Sequence, residues 1–163
     1  MNIRAIDITR DRLTLLEFRA VINYASANSA LRKAFTEVQF REIWLGSRGT
    51  EEYLAALAAS MKDPRTIAEI WEEDGAPVAY VWASFTDWPE YKMTGVEIHD
   101  VMVAPAYRRR GIATQIMQRV EKLARERGAT LLRSGTGIEN NASGELHTRV
   151  GFYVQRVEFE KEL

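Results

Sequence analysis

The stretch from Val96 to Gly128, VEIHDVMVAPAYRRRGIATQIMQRVEKLARERG, limits the fold of this chain more than any other. VEIHDVMVA reads as a strand, and Pro105 closes it because proline donates no ladder hydrogen bond. From Ile112 to Arg127, Ile112, Ile116, Val120, Leu123 and Ala124 share one helical face, and Gly128 supplies the C-terminal stop. Strand, arginine-rich turn and helix therefore follow one another. A turn so placed points the first unpaired N–H groups of the helix outward, where the helix dipole adds partial positive charge. That is a cradle for an anion. Gly111 lets the main chain approach a ligand, and small Ala113 keeps the first helical turn open. Arg108, Arg109 and Arg110 suit a multiply charged pyrophosphate; the alternative is a solvated basic start to the helix.

The rest of the chain divides by period. IRAIDI alternates and predicts an opening strand. A helix capped by Asp11 runs through RLTLLEFRAVINYA, with Leu13, Leu16, Ala20 and Tyr24 on one stripe. A second covers NSALRKAFTEVQFREIW; a third starts at Thr50, repeats Tyr53, Leu54, Leu57, Ala58 and Met61, and ends at KDPR. Strands RTIAEIWEE and APVAYVWASF flank EDGA, whose Asp-Gly is a hairpin signal. TLLRSGTGI predicts a strand weakened by Gly135 and Gly137, followed by a short helix from Ala142 and a last strand, VQRVEFEKE. The outline is β-α-α-α-β-β-β-α-β-α-β, an α/β class. With 163 residues, 46% hydrophobic content and no repeat or linker, one domain over residues 1–163 is expected.

Charge and composition exclude several classes. Lysine and arginine total 22 against 23 aspartates and glutamates, so no global field would hold the chain on nucleic acid or an anionic membrane. Any anion site is local. With no cysteine there is no disulfide, thiolate metal site or cysteine nucleophile, and no metal is expected. The charged start MNIRAIDITRDR and the lack of an apolar run of about 20 residues point to the cytoplasm.

Neither the P-loop nor the dinucleotide fingerprint is present. Arg108-x-x-Gly111-x-Ala113 instead resembles the Arg/Gln-x-x-Gly-x-Gly/Ala signature of the GNAT superfamily of acyl-CoA-dependent N-acyltransferases. ENNASGELHTRVGFY is similar to that family's Asn-x-x-Ala/Ser-x-x-Leu-Tyr-x-x-x-Gly-Phe pattern at Asn140, Ser143, Leu146, Gly151 and Phe152. The resemblance covers Val96 to Tyr153. It implies a twisted mixed, largely antiparallel sheet flanked by helices, whose strands at Val96–Ala104 and Thr130–Ile138 splay apart around acetyl-CoA. The backbone from Arg109 through Gly111, Ile112 and Ala113 to Thr114 would meet the pyrophosphate. Val101 and Val103, with Met102 between them, would pair with the pantetheine arm, and Asn140 and Ser143 would sit near its far end.

The resemblance also directs the search for acid and base. Strand alternation puts Glu97, His99, Val101 and Val103 on one face, and Ile98, Asp100 and Met102 on the other. Glu97 stands where several relatives carry a glutamate base, and His99 shares its face; otherwise the two are a strand-edge carboxylate and a half-buried histidine. Asp100, in an apolar strand, demands a partner if buried. Where many members carry a tyrosine acid this chain has His147, with Tyr153 as a second candidate. The implied activity is acetyl transfer from acetyl-CoA to a primary amine, with a small-molecule acceptor favoured. A protein acceptor and a non-catalytic acyl-CoA-binding domain are the alternatives. Trp88 and Tyr91, in TDWPEYKMTG, would line the acceptor pocket or bury a homodimer contact.

Overall fold

In the computed structural model, which describes residues 1–161, a first strand is followed by four helices: β1 (Asn2–Ala5), α1 (Ile8–Ala25), α2 (Ser29–Ala34), α3 (Glu37–Leu45) and α4 (Gly49–Ser60). Then come β2 (Ile67–Glu73), β3 (Ala76–Trp88), β4 (Met93–Val103), α5 (Ile112–Glu126), β5 (Leu131–Ser134) and α6 (Asn141–Arg149). Asp74 and Gly75 have φ of 51° and 79°, the two-residue turn that joins β2 to β3 with the twist a hairpin needs. The sheet order is β1-β2-β3-β4-β5, antiparallel throughout except for the parallel β4–β5 pair.

The two sheet faces bury separate apolar clusters. On one, Ile112, Ile116, Met117, Val120 and Ala124 of α5 pack against Val81, Ala83, Val96, Ile98 and Val103. On the other, Leu15 and Leu16 of α1 and Tyr53, Leu54 and Leu57 of α4 cover Ile70, Tyr80, Trp82 and Met102. Each fully buried aliphatic side chain contributes about 1.5–3 kcal/mol, so these clusters hold the helices on the sheet. Trp71 and Trp82 are both buried, as packing residues in strands should be. No helix among the described residues is long and apolar enough to cross a membrane.

Four local expectations are corrected. The cap of α1 is Asp7, whose carboxylate accepts from the N–H of Thr9 and Arg10. Asp11 is instead buried inside the first turn, where Arg4 grips it with two bonds of 2.7 Å; a buried carboxylate needs such a partner more than a helix needs a second cap. Leu13 is exposed, and Leu15 takes the buried position beside Leu16 and Ala20. The single second helix is two, because Thr36 and Gln39 close a reciprocal capping box that starts α3. Finally, the last strand is absent: residues 152–161 carry no regular structure, with Val154, Val157 and Phe159 exposed, and Glu162 lies outside the described residues. Alternation alone does not make a strand without a neighbouring edge to bond to.

Candidate active site

The pairing of β3 with β4 slips by one residue: Trp82 opposes Asp100, yet Ala83 opposes Ile98. His99 is the extra residue of a β-bulge, and a bulge reverses the in-out alternation beyond it. The faces expected from strict alternation are corrected accordingly. Val96, Ile98, Val101 and Val103 all meet the α5 cluster. Glu97, His99, Asp100 and Met102 share the opposite face with Tyr80 and Trp82. One inserted residue thus brings together three candidate side chains that alternation divides.

Their environments differ. Asp100 is fully buried; its Oδ2 accepts from the Tyr80 hydroxyl at 2.7 Å and its Oδ1 is ion-paired with Arg19. Tyr80 and Tyr53 lie with their hydroxyl oxygens 3.2 Å apart, and burial, reinforced by the Asp100 charge, holds both phenols well above their ordinary range. Asp100 is therefore a neutralised anchor below the surface. His99 stacks on Trp82 with ring centroids 4.3 Å apart, and its Nε2 lies 2.7 Å from Ser84 Oγ; the donor of that bond follows the imidazole tautomer. The residue keeps an exposed edge, but desolvation by its packing pushes the imidazole below its ordinary value, outweighing the Asp100 and Glu97 charges that raise it.

Glu97 and His99 face a cavity of about 230 Å³ whose walls include Ser84, Trp88 and, from β5, Arg133. Trp88 packs directly against Gly95: a Cβ there would come within 2.6 Å of the indole. Tyr91 is exposed in the turn beyond it and lines neither this cavity nor the second one.

The splay is visible in the pairing. β4 and β5 are joined only from Gly95–Leu131 to Ile98–Ser134; β4 then runs on to Val103 while the other chain leaves the sheet. The expected strand Thr130–Ile138 is cut to four residues, and Gly137 sits against the main chain of Ser26, where a Cβ would approach its carbonyl oxygen to 3.2 Å. Beyond Ile98, the β5-side edge of β4, which includes Val101 and Val103, has no strand partner among the described residues.

At the open end of this wedge the chain turns through Arg109 at φ 62° and Gly111 at φ 79° into α5. The first helical bond runs from Gln115 N–H to Gly111 O, and no side chain caps the helix among the described residues. The N–H groups of Ile112, Ala113 and Thr114 therefore point out of its N-terminus. Space above Gly111 is open, with only Gln115 Nε2 3.9 Å from a notional Cβ. The three arginines are not equivalent. Arg108 Nε donates to Val103 O at 3.1 Å, and Arg110 leans on the Tyr107 ring within 3.5 Å of Glu73. Arg109 has no such partner among the described residues.

Asn140 caps α6 by accepting from Ser143 N–H at 3.3 Å, and it lines a second cavity, of about 440 Å³, together with Arg108, Tyr24 and Arg32. His147 Nδ1 donates to Ser143 O at 2.7 Å, and its ring meets Phe152 edge-on. The Nε2 of His147 is buried without a hydrogen-bond partner among the described residues. Tyr153 is exposed. Sequence reasoning missed Arg133, Ser84 and Arg19. A lone arginine in a short strand and a serine among apolar strand residues are weak signals, and Arg19 is invisible until α1 is laid over the bulge.

Over residues 26–152 the chain matches the family model described as acetyltransferase (GNAT) family. It is 33% identical over 84 residues to the L-methionine sulfoximine/L-methionine sulfone acetyltransferase of Salmonella typhimurium, covering 51% of this chain and 48% of that one. It is 35% identical over 66 residues to an aminoglycoside N(6')-acetyltransferase type 1 of Acinetobacter baumannii, covering 40% and 45%. The chain thus spans less than half the length of these curated relatives. An aminoglycoside N-acetyltransferase, AAC(6')-Iy, whose structure was solved in complex with CoA, superposes with a TM-score of 0.62 at 22% identity over 99% of this chain and 93% of its own, a likeness of fold. The splayed parallel pair, the uncapped helix that connects its two strands and a match over most of the sequence lead to one conclusion: the chain belongs to the GNAT family of acetyltransferases.

Proposed function

We propose that this chain is a single domain that moves an acetyl group from acetyl-CoA to the primary amine of a small molecule, by direct transfer with both substrates bound. The observation that carries this reading is the parting of β4 from β5 after Ile98, which leaves Glu97 and His99 on one cavity beside the joined end of the two strands and the outward N–H groups of α5 at the other end of β4. The residues present suit the donor. The N–H groups of Ile112, Ala113 and Thr114, with Arg109, would hold its pyrophosphate, because open space above Gly111 admits a bulky anion. The unpaired edge of β4 would take the pantetheine amides at Val101; the Val103 carbonyl is already covered by Arg108. Bound there, acetyl-CoA supplies an acyl carbon activated as a thioester.

The protein's own share is positioning and proton handling. An ammonium acceptor must lose a proton before it attacks. Glu97 supplies a carboxylate beside it, and His99, held neutral near pH 7 by desolvation, supplies a basic nitrogen. With the Nδ1–H of His147 committed to Ser143 O, its buried Nε2 carries a lone pair, so it would have to take up the proton released by the attacking amine before passing it to the leaving thiolate. The relatives' printed substrates, an aminoglycoside and amino-acid analogues, support a small amine. The test is an amine panel with acetyl-CoA, read by release of free thiol, for which this cysteine-less chain has no background. Thiol release that requires both acetyl-CoA and a small amine is expected; activity confined to peptides would refute the small-molecule acceptor.

A further inference from the structure

Glu97 and Arg133 are register partners in the parallel β4–β5 pair, so they leave the same face of the sheet side by side, on strands about 4.8 Å apart. Both line the 230 Å³ cavity. The charges of Asp87 and Asp100, next in sequence to the lining residues Thr86, Trp88 and His99, already have partners. Arg65 grips Asp87 with two bonds of 2.8–2.9 Å, Asp87 also accepts from Thr94, and Asp100 is sealed by Arg19 and Tyr80. Glu97 and Arg133 are exceptions: among the described residues neither has a hydrogen bond or ion pair, and they do not bond each other. The Arg133 guanidinium rests on the Trp88 indole, 5.1 Å from its centroid. Arg133 is exposed at the cavity wall, and the ring contact leaves its guanidinium N–H groups available to an anion.

From this we infer that the acceptor is an amino acid or close analogue, whose ammonium lies at Glu97 and whose carboxylate lies at Arg133. The inference rests on the acetyl-transfer reading and narrows it. Opposite charges one strand apart match an ammonium and a carboxylate borne on the same carbon. Trp88 then offers an apolar wall to the acceptor's side chain. A polycation without a carboxylate would instead bring like charge against Arg133, and the cavity is small for a polycyclic antibiotic.

The experiment uses the full chain, acetyl-CoA and thiol release, with the L-amino acids, the carboxamide of each, and kanamycin as the polycation. At least one amino acid is expected to exceed its carboxamide in kcat/KM by about tenfold or more, the scale of one charge-assisted contact. Arg133→Gln should abolish that ratio mainly through KM, with an unchanged unfolding midpoint, and Arg133→Lys should retain part of it. Carboxamides or kanamycin used as well as amino acids, or a ratio untouched by Arg133→Gln, would overturn the inference and leave acetyl transfer standing. Thiol release with no amine at all would overturn both.

Discussion

At the scale of single residues, environment separates three neighbours on β4. Asp100 is buried and doubly partnered, so Asp100→Asn should leave Arg19 with an uncompensated charge and cost about 3–5 kcal/mol in chemical denaturation. Glu97, at the cavity wall, has no such structural task. Glu97→Gln should therefore lower turnover while leaving acetyl-CoA affinity intact by titration; unchanged turnover on the true acceptor would remove Glu97 as the base. His99 makes a statement about pH. Its folded value lies below the ordinary one of about 6.5, so the neutral, basic form persists as pH falls through neutrality. If His99 is essential, the midpoint of the acid-side decline in kcat/KM should lie below pH 6.5. A decline centred above 6.5 that disappears in His99→Gln would contradict the assigned direction. These residues were legible as candidates from residue type and strand position. Their division of labour was not, because one bulged residue inverts the alternation and only pairing with β3 reveals it.

Among elements, the strand–turn–helix unit from β4 to α5 was the most legible, since proline, glycine and a strong helical stripe mark its boundaries locally. What stayed hidden depends on distant partners: the break between α2 and α3, the early end of β5 where Gly137 meets Ser26, and the unpaired run after α6. The turn itself gives an ordered expectation. Arg109 has no partner among the described residues while Arg110 is engaged with Tyr107 and Glu73, so Arg109→Ala should weaken acetyl-CoA binding about fivefold or more and Arg110→Ala clearly less. Calorimetric titration of both variants checks the order; equal losses would mean that Arg110 leaves Glu73 to reach the ligand. Beneath the turn, Ile116 is completely buried between α5 and the sheet. Ile116→Ala should cost about 2–5 kcal/mol, read from denaturant midpoints, through lost contact and the cavity left behind.

Across the whole molecule, the two apolar clusters clamp a sheet that is continuous on one side and parted on the other, and the parting is where both substrates are proposed to meet. Donor and acceptor sites then depend on different parts of the chain, the α5 turn for one and the β3–β4–β5 cavity for the other. The direct test of that arrangement is thermal unfolding with and without acetyl-CoA, in the parent chain and in Gly111→Glu. At a hundredfold excess over Kd, ligand binding stabilises by about 2.7 kcal/mol, or roughly 5–10 °C for a chain of this size. The expected result is such a rise in the parent and none in Gly111→Glu, where a carboxylate stands in the open space over the α5 N-terminus. A parent chain whose melting temperature ignores acetyl-CoA, or a variant that responds equally, would contradict the wedge and its turn as the acyl-CoA site.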